Sequence, residues 1–136
     1  IVRGTTSKEI VQMARDAGAS KVYLASAAPP VRHPNVYGID MPTRAELVAH
    51  DRTIEDIRQW IGADALIYQD VQAMKQAVGR VNPQVNGFEA SCFDGVYITG
   101  DISDEQVTAL NEWRNRSGEG EAEASSRLSL PNAQAT

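Results

Sequence analysis

Two short apolar runs, each set between stretches of helical period, constrain this chain more than any other feature. Lys21–Ser26 (KVYLAS) alternates and is rich in residues that suit strands, and Ala65–Gln69 (ALIYQ) is a short buried-strand candidate. Ahead of the first run, Thr5–Gly18 (TTSKEIVQMARDAG) has small hydroxyl residues in front, an apolar stripe of Ile10, Val11, Met13 and Ala14, and Gly18 as a stop. Ahead of the second, Thr43–Gly62 holds two helical pieces: Thr43 with Glu46 and Thr53 with Asp56 both fit a capping box, and Ile54, Ile57, Trp60 and Ile61 make a face at helical spacing. Val71–Val78 resumes the period, with Val71, Met74 and Val78 expected inward. Helix and strand alternate, which predicts an α/β layered fold with a parallel sheet flanked by helices.

The remaining segments are read from their breakers. Ala27–Pro42 carries four prolines and a glycine and is expected to form an ordered loop. Asn82–Asn86 reads as a turn, and Phe88–Phe93 and Val96–Ile98 as short strands around Asp94-Gly95. Ser103, or Asp101, is expected to cap a last helix running through Trp113 on a stripe of Val107, Leu110 and Trp113. After Asn115 the chain lacks periodicity and aromatics, so residues 115–136 are expected to be a disordered tail behind a domain of residues 1–114.

Composition excludes several function classes. A chain of 136 residues supports one modest core. A net charge of -5 with no long Lys/Arg block gives no nucleic-acid footprint. No apolar run reaches the roughly 18–20 residues of a membrane span, and a cytoplasmic location is expected. Cys92 is the single cysteine, so neither an internal disulfide nor a thiolate metal site can be assembled. His33 and His50 are the only histidines; their separation fits no short metal motif, and exposed or locally hydrogen-bonded imidazoles are expected.

The chemistry-bearing motif is at the start. Arg3-Gly4-Thr5-Thr6-Ser7 sets a glycine, three hydroxyls and free backbone N–H groups at a helix N-terminus, where the macrodipole is positive. In chemical terms this is a phosphate cradle, although such a run is more often simply a good helix start.

The run IVRGTTS resembles the loop of type I phosphoribosyltransferases that binds the 5′-phosphate of phosphoribosyl pyrophosphate (PRPP). The string Ser26-Ala27-Ala28-Pro29-Pro30, continuing through His33-Pro34-Asn35-Val36-Tyr37-Gly38-Ile39-Asp40-Met41-Pro42, is similar to that of the glutamine PRPP amidotransferases and unlike the salvage enzymes. Gly62–Tyr68 and Phe93–Tyr97 extend the resemblance over about residues 1 to 114.

The resemblance implies an incomplete type I phosphoribosyltransferase fold, part of an enzyme that makes phosphoribosylamine from PRPP and glutamine-derived ammonia. Arg3, Gly4, Thr5, Thr6 and Ser7 would wrap the 5′-phosphate, and Asp40 and Arg114 would line the ammonia-accepting side. The acidic pair that precedes this loop in the family would lie just before Ile1, so no catalytic residue is assigned and the ligands of Mg²⁺ are expected outside this chain. One branch of the family carries an iron–sulfur cluster; Asn35 and Glu89 stand at two of its cysteine positions here and only Cys92 remains, so no cluster is expected. Purine nucleotides as feedback inhibitors and a homo-oligomeric full-length enzyme are further implications, with no nucleic acid and no membrane. Opening on Ile1, the chain reads as part of a longer one, inactive alone. Alternative readings are another type I phosphoribosyltransferase, a non-catalytic PRPP-sensing regulator, and a phosphate-capped α/β domain of other role.

Overall fold

The computed structural model describes residues 1–39, 41–85, 87–103, 105–114 and 116. The chain divides into two compact units, Ile1–Ile102 and Ser103–Thr136. Within the first unit the order is α1 (Thr5–Asp16), β1 (Tyr23–Ser26), a 3₁₀ turn (Arg44–Glu46), α2 (Ile54–Ile61), β2 (Ala65–Tyr68), α3 (Val71–Val81) and α4 (Ser91–Asp94). In the second unit residues 105–114 are helical, and the tail expectation falls almost wholly outside the described residues.

Both strands form where the apolar runs are. They pair in parallel, Tyr23 opposite Ala65 and Ser26 opposite Tyr68. A parallel pair requires a crossover, and the segment carrying α2 supplies it. The α/β expectation is met. The core lies between the sheet and the first two helices: Val11, Val48, Ala49, Ile57, Ile61 and Ala63 are buried, with Val22, Leu24, Leu66 and Tyr68 packed on them.

Polar anchoring closes the layer. Asp64 Oδ2 accepts from Val22 N at 2.7 Å and from Arg15 at 2.7 Å, and Arg15 also donates to the carbonyls of Gly62 and Ser20, so one arginine joins the end of α1 to the segments that lead into both strands. Helix α2 starts at the expected box: Thr53 Oγ1 accepts from Asp56 N, and Asp56 Oδ2 accepts from Thr53 N. It ends at Gly62, whose φ of 78° suits a residue without Cβ.

Three expectations are corrected. The first helical piece of the 43–62 region is only the 3₁₀ turn Arg44–Glu46, because Val48 N donates to Val2 O instead of continuing a helix, and Leu47, Val48 and Ala49 go into the core. Residues 88–93 and 96–98 form no strand: Ser91–Asp94 is a helical turn whose Cys92 carbonyl accepts from Arg32 N and His33 N of the proline-rich loop. Helix α3 buries no residue, and Val78, 50% exposed, faces outward, as does Met13 of α1. Periodicity marks an apolar face without saying what covers it.

Candidate functional site

Helix α1 begins in an unusual way for a chain so rich in hydroxyls. Its N-cap is Gly4, at φ 80°, and no side chain caps the helix. The first helical hydrogen bond is Lys8 N to Gly4 O, so the amides of Thr5, Thr6 and Ser7 are the donors that a helix cannot use internally. No acidic residue stands in the first turn to occupy them. These residues, with Ile1, Val2, Arg3 and Pro42, line an open cleft of about 480 Å³. Three oriented amides, three hydroxyls and the positive end of a twelve-residue helix suit a dianionic oxyanion.

The cradle is held from beneath. A Cβ on Gly4 would stand 2.6 Å from the Trp60 ring and 3.1 Å from Val48, so the positive φ and the close approach both demand glycine. Lys8 Nζ lies 5.4 Å from the centre of the same indole, a cation–π contact. Val48 N, bonded to Val2 O at 2.8 Å, ties the loop to the core.

Arg3 lines the cleft, but its guanidinium is held by Glu46 at 2.9 Å. Glu46 Oε2 also accepts from Thr43 N and Thr43 Oγ1, and these bonds, the backbone one foremost, pull its carboxyl below the usual carboxylate range. The structure brings Arg3, Gly4, Thr5, Thr6 and Ser7 together along one cleft. Asp40 lies outside the described residues, and Arg114 lies in the helical residues 105–114 of the second unit. Trp60, Glu46 and Pro42 were missed; their distance along the chain from the loop left no local signal.

The proline-rich loop is organised around a buried amide. Asn35 is 1% exposed; its Oδ1 accepts from Tyr37 N at 2.8 Å and Ile39 N at 3.2 Å, and its Nδ2 points to Cys92 Sγ at 3.9 Å. Cys92 Sγ is also 3.5 Å from Met41 Sδ, and burial pushes its thiol pKa up. Glu89 accepts from Ser91 N and Ser91 Oγ. Tyr37 and Tyr97 meet edge to face at 6.2 Å, and Tyr97 OH donates to Pro34 O.

No protein-family model matches the chain. Among curated proteins it is 56% identical over 115 residues to the amidophosphoribosyltransferase of Escherichia coli, covering 85% of this chain and 23% of that protein. The chain is homologous to a segment of the amidophosphoribosyltransferases. The amidophosphoribosyltransferase of Pseudomonas aeruginosa is 48% identical over 128 residues, covering 94% of this chain and 26% of its own. The glutamine PRPP amidotransferase from B. subtilis complexed with ADP and GMP shares the fold with a TM-score of 0.64 at 42% identity, over 76% of this chain and 23% of that one. The structure of the allosteric regulatory enzyme of purine biosynthesis agrees at TM-score 0.65 and 38% identity, over 82% of this chain and 24% of that one. The chain therefore spans about a quarter of the amidophosphoribosyltransferases it matches, and the mixed helix and parallel-strand architecture is theirs.

Proposed function

We propose that this chain supplies the 5′-phosphate-binding part of the PRPP loop of an amidophosphoribosyltransferase, the glycosyltransferase that makes 5-phosphoribosylamine from PRPP and glutamine at the first committed step of purine synthesis. One observation carries this reading: the uncapped start of α1 faces a cleft lined by Arg3, Gly4, Thr5, Thr6 and Ser7. The amides and hydroxyls bind the phosphate, and holding that end of the ribose places C1 for displacement of pyrophosphate by ammonia.

Magnesium accompanies PRPP in the family, and this cleft does not fit it as a protein-held ion. It has no carboxylate among its lining residues, and no group of three or more His, Cys, Asp or Glu able to hold a metal occurs among the described residues. Asn35 and Glu89 offer an amide and a carboxylate where a cluster would need thiolates, so no iron–sulfur cluster forms on this chain.

On the same reading the longer enzyme is cytoplasmic and homo-oligomeric and answers to purine nucleotides, Asp40 and Arg114 face incoming ammonia, and these residues alone are inactive. No described helix is long and apolar enough to cross a membrane.

The test is binding of ribose 5-phosphate against ribose, followed through the backbone amides of Thr5, Thr6 and Ser7 by nuclear magnetic resonance. Selective, saturable shifts with the phosphate ester, weakened by Ser7→Ala, are expected. Equal response to ribose, or shifts that map elsewhere, would refute the assignment, as would phosphoribosylamine formation by the 136 residues alone.

A further inference from the structure

A second cleft, of about 300 Å³, is lined by Arg32, His33, Arg44, Ala49, His50 and Asp51. Both histidines of the chain and two of its arginines meet there. The charge is not cancelled locally. Asp51 pairs with His50 at 3.1 Å and Asp94 with Lys75 at 2.6 Å, while among the described residues no carboxylate pairs with Arg32 or Arg44. Arg32 spends one nitrogen on the carbonyls of Ala49 and Arg52, at 2.7 and 3.1 Å, which fixes the guanidinium yet leaves its charge unneutralised. Arg44 Nε is buried and has no hydrogen-bond partner.

The imidazole of His33 is equally fixed. Its ring lies against Gly95, where a Cβ would come within 3.0 Å, and its backbone N–H donates to Cys92 O. Two arginines that no described carboxylate pairs, with a fixed imidazole beside them and Asp51 turned to His50, make a cleft suited to a phosphoryl group, since each of its oxygens accepts from a separate donor.

We propose that this cleft binds a phosphoryl oxyanion, through Arg44, Arg32 and His33, at a site separate from the start of α1. An anion there sets a negative charge beside Arg32 and Arg44, which no described carboxylate pairs. The ligand's source is either free pyrophosphate or phosphate, or the phosphate of a nucleoside 5′-monophosphate, and the chemistry of recognition is shared. The second cleft stands independently of the function proposed for the first.

The test follows the imidazole resonances of the 136-residue chain, whose only histidines both line the cleft. Inorganic phosphate, inorganic pyrophosphate and adenosine 5′-monophosphate are titrated separately. In the free protein burial foremost, then Arg44, His50 and Arg32, hold the His33 pKa down against the opposing pull of Asp94. At least one of the three is expected to shift His33 saturably and to move its titration to higher pH. Arg44→Gln should weaken that binding at least tenfold, with Arg44→Lys retaining part of it, and Ser7→Ala should leave it unchanged. Response to the monophosphate but not to adenosine assigns the ester as source; response to pyrophosphate or phosphate alone assigns the free anion. No saturable shift with any of the three, or a shift that survives Arg44→Gln in a protein of native spectrum, overturns the proposal. Should Arg44→Gln not fold, Arg44→Lys decides: affinity equal to the parent for all three anions also overturns it.

Discussion

Arg3 of the opening loop and Glu46 of the 3₁₀ turn are ion-paired at 2.9 Å across 43 residues of sequence. The pair is largely open to water, with side chains 56% and 44% exposed, so it contributes little to folding. Its effect is on the cleft: a carboxylate holds Arg3, the one arginine or lysine among the described residues that line it. Glu46→Gln is therefore expected to leave stability within about 0.5 kcal/mol. It should tighten inorganic phosphate binding at the loop about threefold to fivefold at low salt, a gain that disappears near 1 M salt. Calorimetry at two ionic strengths checks this, and equal affinity in both proteins at low salt would show that Arg3 does not act on the anion.

Gly4→Ala combines two costs, a left-handed backbone at φ 80° and a Cβ 2.6 Å from Trp60. A loss of about 1–3 kcal/mol in urea unfolding is expected, together with loss of phosphate binding. Trimming the indole in Gly4→Ala/Trp60→Leu should return the steric part and leave the backbone part, so partial rescue is the outcome to look for.

Asn35→Ala removes the acceptor of two backbone N–H groups, those of Tyr37 and Ile39, in a residue 1% exposed. Tyr37 and Ile39 are themselves exposed, so water replaces part of what is lost and each bond costs about 0.5–1.5 kcal/mol. The unfolding midpoint should fall accordingly, and a change below about 0.5 kcal/mol would mean that the loop repacks.

The acid limb of stability depends partly on Glu55. Hydrogen bonds from Arg58 and then Gln59 hold its carboxyl down to about 2, against an ordinary 4.5. Because the folded value is the lower one, this contribution is present above 4.5 and is lost as pH falls through about 2. Asp56, held down by Thr53, has the same sign. Glu55→Gln should flatten the pH dependence of the melting temperature below pH 4.5 and leave its slope near neutrality unchanged.

Cys92 should be a slow nucleophile. Burial raises its pKa, and thiolate, not thiol, is the reactive form. Alkylation near pH 7.5 is expected at least about tenfold slower than for a free cysteine, and urea should restore the free rate. Fast modification of the folded chain would contradict the half-buried placement.

Sequence alone determined the parts whose causes are local. The Thr53–Asp56 box, the strands Tyr23–Ser26 and Ala65–Tyr68 and the start of α1 after Gly4 depend on neighbours within a few residues, so their signals run in order along the chain. Tertiary structure decided whatever joins distant segments. Cys92 became part of a helical turn whose carbonyl serves Arg32 and His33, and Val78 came out half exposed although the helical period sets it with the partly covered Val71 and Met74. Likewise Glu46 reached Arg3, Trp60 slid under Gly4, and two histidines that fit no motif met at one cleft. Spacing records which residues share a face of one element; which face meets which is settled only when the core closes.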